Sequence, residues 1–184
     1  MNAFYGGNGF DIYDRGRGSI LSDAIKTKRY NIDDNEVTFE NAWGICDEDI
    51  YNKMIKVADE NYKKNKPFLN FIMTTSNHRP YTYPSNKIDI PSGSGREGAV
   101  KYSDYALQQM FAVAKNKPWF KNTIFVFIAD HCASSAGKDE IDVANYHIPA
   151  FIVNFSENKK IKKQCSQIDV FPTFFSMMNW SYES

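Results

Sequence analysis

A short apolar run in the second half of the chain constrains the fold more than any other feature. Residues 123–128 read Thr-Ile-Phe-Val-Phe-Ile, a run rich in β-branched and aromatic side chains and too short for a typical helix. Such a run predicts a strand buried on both faces, like the central strands of a parallel sheet. Asp130 and His131 follow it. Because ligands collect beyond the carboxyl ends of the strands in open α/β sheets, this pair stands where a metal or phosphate site is built.

The chemistry of the Asp130–His131 pair suits a divalent cation. A carboxylate oxygen and an imidazole nitrogen are ligands for ions such as zinc or manganese. Two ligands do not make a complete site, however, and an Asp-His pair after a strand also serves as a cap for the following turn. The pair by itself leaves both interpretations open.

Apolar strands alternate with helical periodicity along the rest of the chain. Further strands are predicted at residues 68–75, which run into a loop bearing His78 and Arg79, and at residues 150–155. Helices are predicted from Asp47 to the Lys66-Pro67 stop, over residues 99–115, and over residues 167–178 with Pro172 in the first turn. This alternation predicts a three-layer α/β/α sandwich with a mainly parallel sheet.

The first 42 residues are less regular. The glycine-dense opening at residues 5–18 contains no phosphate-binding loop and predicts a turn into a short strand around residues 10–13. Residues 19–42 are predicted to form a loop with one helical turn at residues 20–25.

Length and charge limit the class of protein. A chain of 184 residues predicts one domain with a proper core. The chain has 22 basic residues (Lys and Arg) and 22 acidic residues (Asp and Glu), so its formal net charge is zero. This balance excludes the strong attraction to the phosphate backbone that a nucleic-acid binder needs. No apolar run approaches the length of a membrane span and the start does not read as a signal peptide, so the chain as given is predicted to be soluble. The three cysteines form neither a zinc knuckle nor a readable disulfide framework.

Several short motifs occur in an order that resembles one family. In chain order they are TSNHRPY (75–81), KYSDYA (101–106), PWFKNT (118–123), ADHCASSAGK (129–138), YHIP (146–149) and IDVFPT (168–173). Together they resemble the sulfatase-like hydrolases of the alkaline phosphatase superfamily, and within it the lipoteichoic-acid-synthase-like phosphoglycerol transferases. The resemblance covers nearly the whole chain and implies an alkaline-phosphatase-like fold.

The resemblance also implies roles for three residues, His78, Asp130 and His131. In that family one divalent metal ion, Mn²⁺, Mg²⁺ or Zn²⁺, is held by an acidic residue, a nucleophilic threonine and an Asp-His pair, and the pair matches Asp130 and His131. His78 matches a histidine that contacts the substrate, where it would hydrogen-bond the phosphate or protonate the departing glycerol oxygen. Arg79 beside it is either an anion clamp or a solvent-facing arginine. We therefore expect His78, Asp130 and His131 to share a pocket.

The family pattern has parts that this chain does not match. The nucleophilic threonine, the acidic ligand and the membrane helices of the family lie upstream of the matched motifs. We therefore expect residues 1–184 to be the carboxyl-terminal portion of a catalytic domain, inactive alone, whose parent is membrane-anchored and acts outside the cytoplasm. The expected substrate is a glycerophosphate-containing lipid or glycan.

Other functions remain open from the residues alone. A sulfatase or a phosphoethanolamine transferase of the same superfamily would carry a similar series of motifs. A non-catalytic domain that binds a glycerophosphate polymer, a glycan or a partner chain is an alternative of a different class.

Overall fold

The computed structural model describes residues 2–5, 28–30, 34–133, 146–155 and 158–181. The chain divides into two compact units, Met1–Thr123 and Ile124–Ser184. The described part of the first unit contains strands β1 (Asn2–Tyr5), β2 (Lys28–Tyr30) and β3 (Asn70–Met73) and helices α1 (Asp47–Lys63) and α2 (Arg96–Ala114). That of the second contains strands β4 (Phe125–Ile128) and β5 (Ala150–Val153) and helix α3 (Val170–Met177).

The sheet of the first unit is parallel. β1 lies in the middle and pairs in parallel with β2 on one side and β3 on the other. Strand β3 confirms the prediction for residues 68–75, whereas β1 and β2 were not predicted. The strand predicted at residues 10–13 and the helical turn predicted at residues 20–25 lie outside the described residues.

Helices α1 and α2 pack against each other and form the core of the first unit. Each buries one stripe of side chains at helical spacing, as the periodicity predicted. The buried stripe of α1 includes Ile50, Met54, Val57 and Ala58, and that of α2 includes Tyr102, Ala106, Met110 and Ala114. Helix α2 begins three residues earlier than predicted, directly after its N-cap residue, Gly95.

Two tyrosines fix the long loop between β3 and α2. Tyr83 in this loop stacks on Tyr102 of α2, with ring centroids 5.0 Å apart and an interplanar angle of 6°. The Tyr83 hydroxyl donates to the carbonyl oxygen of Ile90 at 3.0 Å, and the Tyr102 hydroxyl donates to a carboxylate oxygen of Glu48 at 2.9 Å. The loop between β3 and α2 is therefore held against the helical core, although its residues form no helix or strand.

The second unit is built on an antiparallel pair of strands. Phe127 of β4 lies opposite Phe151 of β5, and their rings stack with centroids 4.8 Å apart. The expectation that β4 is buried on both faces is wrong, since Val126 is 39% and Ile128 40% exposed. Side chains alternate between the two faces of a strand, so these two residues share the face opposite the stacked phenylalanines.

Helix α3 confirms the prediction at the end of the chain. It follows a 3₁₀ helix at Gln167–Asp169, where Ser166 and Asp169 form a reciprocal capping box. The Ser166 amide donates to the Asp169 carboxylate at 2.8 Å. Pro172 lies in the first turn of α3, where its missing N–H costs no helical hydrogen bond.

Candidate functional site

The loop that carries His78 is held at its start by a buried carboxylate. Asp47, the first residue of α1, accepts hydrogen bonds from the backbone amides of Thr75 at 3.0 Å and Ser76 at 2.9 Å. The Asp47 amide donates in return to Ser76 Oγ at 3.0 Å, and Thr75 Oγ1 donates to the carbonyl oxygen of Ile45 at 2.7 Å. Asp47 is fully buried. The residues that follow β3 are therefore fastened to the start of α1.

His78 is exposed and its imidazole has a defined orientation. Its Nδ1 lies 3.1 Å from the carbonyl oxygen of Arg79. Because a carbonyl oxygen can only accept, Nδ1 carries the hydrogen of this bond and Nε2 is left for a ligand. Arg79 is also exposed. The two residues predicted to contact substrate thus lie next to each other at the surface, beyond the carboxyl end of β3.

Trp43 is a neighbour of His78 that the sequence analysis missed. The indole and imidazole rings lie face to face, with centroids 3.6 Å apart and an interplanar angle of 2°. The two residues are 35 positions apart and no periodicity relates them. The only signal in the sequence is a large aromatic residue in a polar stretch before Gly44.

Asp130 and His131 form a compact donor pair directly after β4. Asp130 Oδ2 lies 3.3 Å from His131 Nε2, while Asp130 Oδ1 accepts the backbone amide of His131 at 2.9 Å. His131 Nδ1 lies 2.8 Å from the carbonyl oxygen of Cys132, so Nδ1 carries the hydrogen of that bond. The lone pair of a neutral imidazole therefore faces the carboxylate oxygen across 3.3 Å. Such an arrangement suits a proton or a metal cation between the two atoms.

The spacing of this pair fits the geometry of a divalent ion. Metal–ligand bonds of about 2.0–2.2 Å place two neighbouring ligands of one ion about 2.8–3.6 Å apart. The Asp130 and His131 side chains are 65% and 64% exposed, so an ion reaches them from solvent. Among the described residues, no group of three or more His, Cys, Asp and Glu side chains could hold a metal. Within the described ranges, Asp130 and His131 thus offer two donor atoms at a spacing that one divalent ion could bridge.

Gln167 holds the backbone of this pair in place. Its Nε2 donates to the carbonyl oxygens of Ala129 at 3.0 Å and Asp130 at 2.7 Å. The Ala129 amide also donates to the carbonyl oxygen of Pro149 at 3.2 Å. The end of β4 is thus fixed from two directions within the second unit. No sequence pattern pointed to Gln167, which lies 37 residues after Asp130.

The four predicted site residues form two adjacent pairs. His78 and Arg79 lie together in the first unit, and Asp130 and His131 lie together in the second. Each pair follows the carboxyl end of a strand, as the sequence predicted. None of the helices in the described ranges combines the length and the apolar character that crossing a bilayer requires.

Comparison with known sequences identifies the family. The family model for sulfatases matches residues 1–180. Lipoteichoic acid synthase 2 of Bacillus subtilis is 27% identical over an alignment of 135 residues that covers 61% of this chain and 21% of that protein. Phosphoglycerol transferase I of Escherichia fergusonii is 28% identical over an alignment of 102 residues that covers 52% of this chain and 13% of that protein. The chain thus spans about a fifth or less of the length of these relatives.

Comparison with solved structures identifies the fold. A crystal structure of an alkaline phosphatase superfamily protein from Vibrio parahaemolyticus is similar with a TM-score of 0.77 and 32% identity, over 98% of this chain and 44% of that one. The lipoteichoic acid synthase LtaP from Listeria monocytogenes gives a TM-score of 0.77 with 23% identity, over 98% and 50%. The predicted α/β fold of the alkaline phosphatase type is thereby confirmed. With its match to the family model over nearly all of its length, the chain belongs to the sulfatase family.

Proposed function

We propose that this chain is the carboxyl-terminal part of the catalytic domain of a metal-dependent phosphoglycerol transferase or phosphodiesterase. Its substrates would be glycerophosphate-containing lipids or glycans. The observation that carries the proposal is the exposed Asp130–His131 donor pair, 3.3 Å apart at the end of β4. The proposal is supported by the similarity to a lipoteichoic acid synthase and a phosphoglycerol transferase.

Asp130 and His131 are assigned to the cation. Their oxygen and nitrogen atoms suit Mn²⁺, Mg²⁺ or Zn²⁺, and a bound ion of this kind neutralises phosphoryl oxygens during displacement. Gln167 keeps the backbone of Asp130 in one position, so the carboxylate needs little rearrangement when the ion arrives. Outer partners of this kind are typical of metal sites.

His78 and Arg79 are assigned to the phosphate. With Nδ1–H donating to a backbone carbonyl, His78 in its imidazolium form would also donate from Nε2–H to a phosphoryl oxygen, or would give that proton to the departing glycerol oxygen. Arg79 carries a planar fork of N–H donors that matches two oxygens of one phosphate group. Both side chains are exposed, as binding a substrate from solvent requires.

The remaining parts of the site are assigned to the rest of a longer parent protein. The chain spans only 44% and 50% of the two solved structures that it resembles. We place the nucleophilic threonine and the acidic metal ligand in the portion of the parent that precedes this chain. The parent would be anchored in the cell membrane, with its catalytic domain outside the cytoplasm.

Calorimetric titration of the full 184-residue chain with Mn²⁺ tests the metal assignment. We expect weak but saturable binding, because two protein ligands are available, and its loss in Asp130→Ala and His131→Ala. His147→Ala removes another exposed histidine of the same unit and serves as the matched control, which should bind as the wild type does. Equal Mn²⁺ binding by all four proteins would refute the assignment.

Titration with glycerol 1-phosphate, followed by NMR of the histidine side chains, tests the assignment of His78. The resonances of His78 should move on addition of the ligand, and His78→Ala should weaken binding. Inorganic sulfate at the same concentration should produce a smaller effect. A stronger response to sulfate would favour the sulfatase alternative, and no response to either anion would remove His78 from the site.

A further inference from the structure

Trp43 and His78 form a closer ring pair than aromatic side chains usually do. Their centroids lie 3.6 Å apart and the planes are parallel within 2°, whereas typical aromatic pairs are separated by about 4.5–7 Å. Trp43 is nevertheless 44% exposed, so burial in the core does not account for its position. One face of the imidazole is therefore covered by the indole, while both residues remain at the surface.

The turn that carries Trp43 is built to hold it there. Asn41 Oδ1 accepts hydrogen bonds from the backbone amides of Trp43 at 2.8 Å and Gly44 at 3.2 Å. The Asn41 side-chain amide donates to the carbonyl oxygen of Thr82 at 3.2 Å and to its hydroxyl oxygen at 3.1 Å. Thr82 lies four residues after His78. Asn41 thus links the turn that carries Trp43 to the loop that carries His78.

The stack and a hydrogen bond together fix the imidazole. The Trp43 ring restricts the plane of the His78 ring, and the bond from Nδ1 to the carbonyl oxygen of Arg79 selects which nitrogen faces outward. An exposed histidine would otherwise sample several rotamers, and ordering such a side chain opposes binding. With both restraints present, Nε2 has one orientation before a ligand arrives.

We infer that Trp43 is a positioning residue for His78, which it stacks upon so that Nε2 is directed to the phosphate of a glycerophosphate substrate. The inference rests on the proposed function, because His78 is the residue assigned to phosphate there. Trp43 itself takes no part in proton transfer. Its contribution is to the affinity and geometry of phosphate binding.

NMR of the full chain with assigned His78 side-chain resonances tests the inference, with glycerol 1-phosphate as the probe. Trp43→Leu keeps an apolar side chain but removes the π face. We expect the ring-current shift of the His78 protons to disappear and the affinity for glycerol 1-phosphate to fall about three- to tenfold, the range that an aromatic stacking pair supplies. Trp43→Phe should restore most of both effects.

Trp180→Ala is the matched control, because Trp180 is 55% exposed and belongs to the second unit. It should leave the His78 resonances and the affinity unchanged. Wild-type affinity in Trp43→Leu, or an unmoved His78 resonance, would overturn the inference. A different result would refute the proposed function itself. In that case His78→Ala would bind glycerol 1-phosphate as tightly as the wild type does, while the ring-current shift of the His78 protons would still be present in the wild type.

Discussion

Gly98 lies directly against the hydroxyl group of Tyr83. A Cβ atom at position 98 would stand 2.3 Å from the Tyr83 hydroxyl oxygen and 3.0 Å from the Ile90 Cγ2 atom. Tyr83 is 1% exposed and stacked on Tyr102, so it has little room to move away. The glycine is therefore required where α2 passes the loop that follows β3.

Replacing Gly98 by alanine should destabilise the chain, although alanine is the better helix former. Overpacking of a filled core costs about 1–3 kcal/mol, which exceeds the helical gain of about 1 kcal/mol. Urea denaturation of Gly98→Ala and of the wild type measures the difference. In a Tyr83→Phe background the clashing oxygen is absent, so the same glycine substitution should cost less. An equal cost in both backgrounds would show that the hydroxyl is not the obstacle.

The carboxylate of Asp59 connects α1 to the segment that follows α2. It accepts hydrogen bonds from Lys117 Nζ at 2.5 Å and Trp119 Nε1 at 2.7 Å. Burial by itself raises the pKa of Asp59. The hydrogen bonds from Lys117 and Trp119 have a larger combined effect in the opposite direction, so the pKa lies below the ordinary value of 3.8. A carboxyl group with a lowered pKa contributes stability above its unfolded pKa, and that contribution is lost as the pH falls through the folded pKa.

Asp59→Ala should therefore lower the free energy of unfolding by about 1–3 kcal/mol at neutral pH, the usual range for hydrogen bonds to a charged group. The difference from the wild type should be complete above about pH 5 and should shrink as the pH falls below the ordinary pKa of the carboxyl group. Urea titrations at pH 7 and at pH 3 measure it. Asp104→Ala, which changes an exposed acid of α2, is the control and should change stability little at either pH. A difference that grows toward low pH would contradict this prediction.

Asp47 should be among the most sensitive polar positions of the first unit. Asp47→Ala leaves the buried amides of Thr75 and Ser76 without their acceptor, and each such loss costs about 1–3 kcal/mol. We expect a loss of about 2–4 kcal/mol in the free energy of unfolding by urea denaturation. Asp47→Asn retains one carbonyl oxygen and should lose less. If the asparagine variant were as unstable as the alanine variant, the charge rather than the hydrogen bonds would be responsible.

Gln167 should affect cation binding without contacting the cation. Its side chain fixes the carbonyl oxygens of Ala129 and Asp130, and loss of such outer partners typically weakens a metal site by 10–100-fold. We expect Gln167→Ala to weaken Mn²⁺ binding about tenfold in calorimetry. Gln164→Ala, at an exposed glutamine three positions earlier, should bind as the wild type does. Unchanged affinity in Gln167→Ala would mean that the loop holds Asp130 without it.

The helices could be predicted from the sequence because their signals are local. Ile50 and Met54, or Tyr102 and Ala106, lie one helical turn apart, so spacing alone places them on one face. The position of Asp130 and His131 directly after a strand could be predicted for the same reason, because the strand and the pair are neighbours in the sequence. By contrast, no local pattern predicts that Asp47, at the start of α1, accepts hydrogen bonds from amides 28 and 29 residues away.

The features that the sequence did not reveal all depend on partners far along the chain. β1 was not predicted because its four residues, Asn2–Tyr5, form a strand through their pairing with β2 and with β3, which lie far along the chain. Likewise, nothing in the sequence near Trp43 indicates that its ring stacks on His78. Nothing near Gln167 indicates that its side chain donates to the carbonyl oxygen of Asp130. Tertiary pairing decides these positions, and a single sequence does not encode such pairing as a pattern.

The reciprocal bonds between Asp47 and Ser76 have a dynamic consequence. Because the carboxylate that begins α1 also holds the amides after β3, the loop before His78 cannot detach unless those bonds break at the first turn of the helix. Both segments should therefore open in one cooperative local event with a common rate. A ligand that tightens around His78 would slow that event and would thereby protect the beginning of a helix that it never touches.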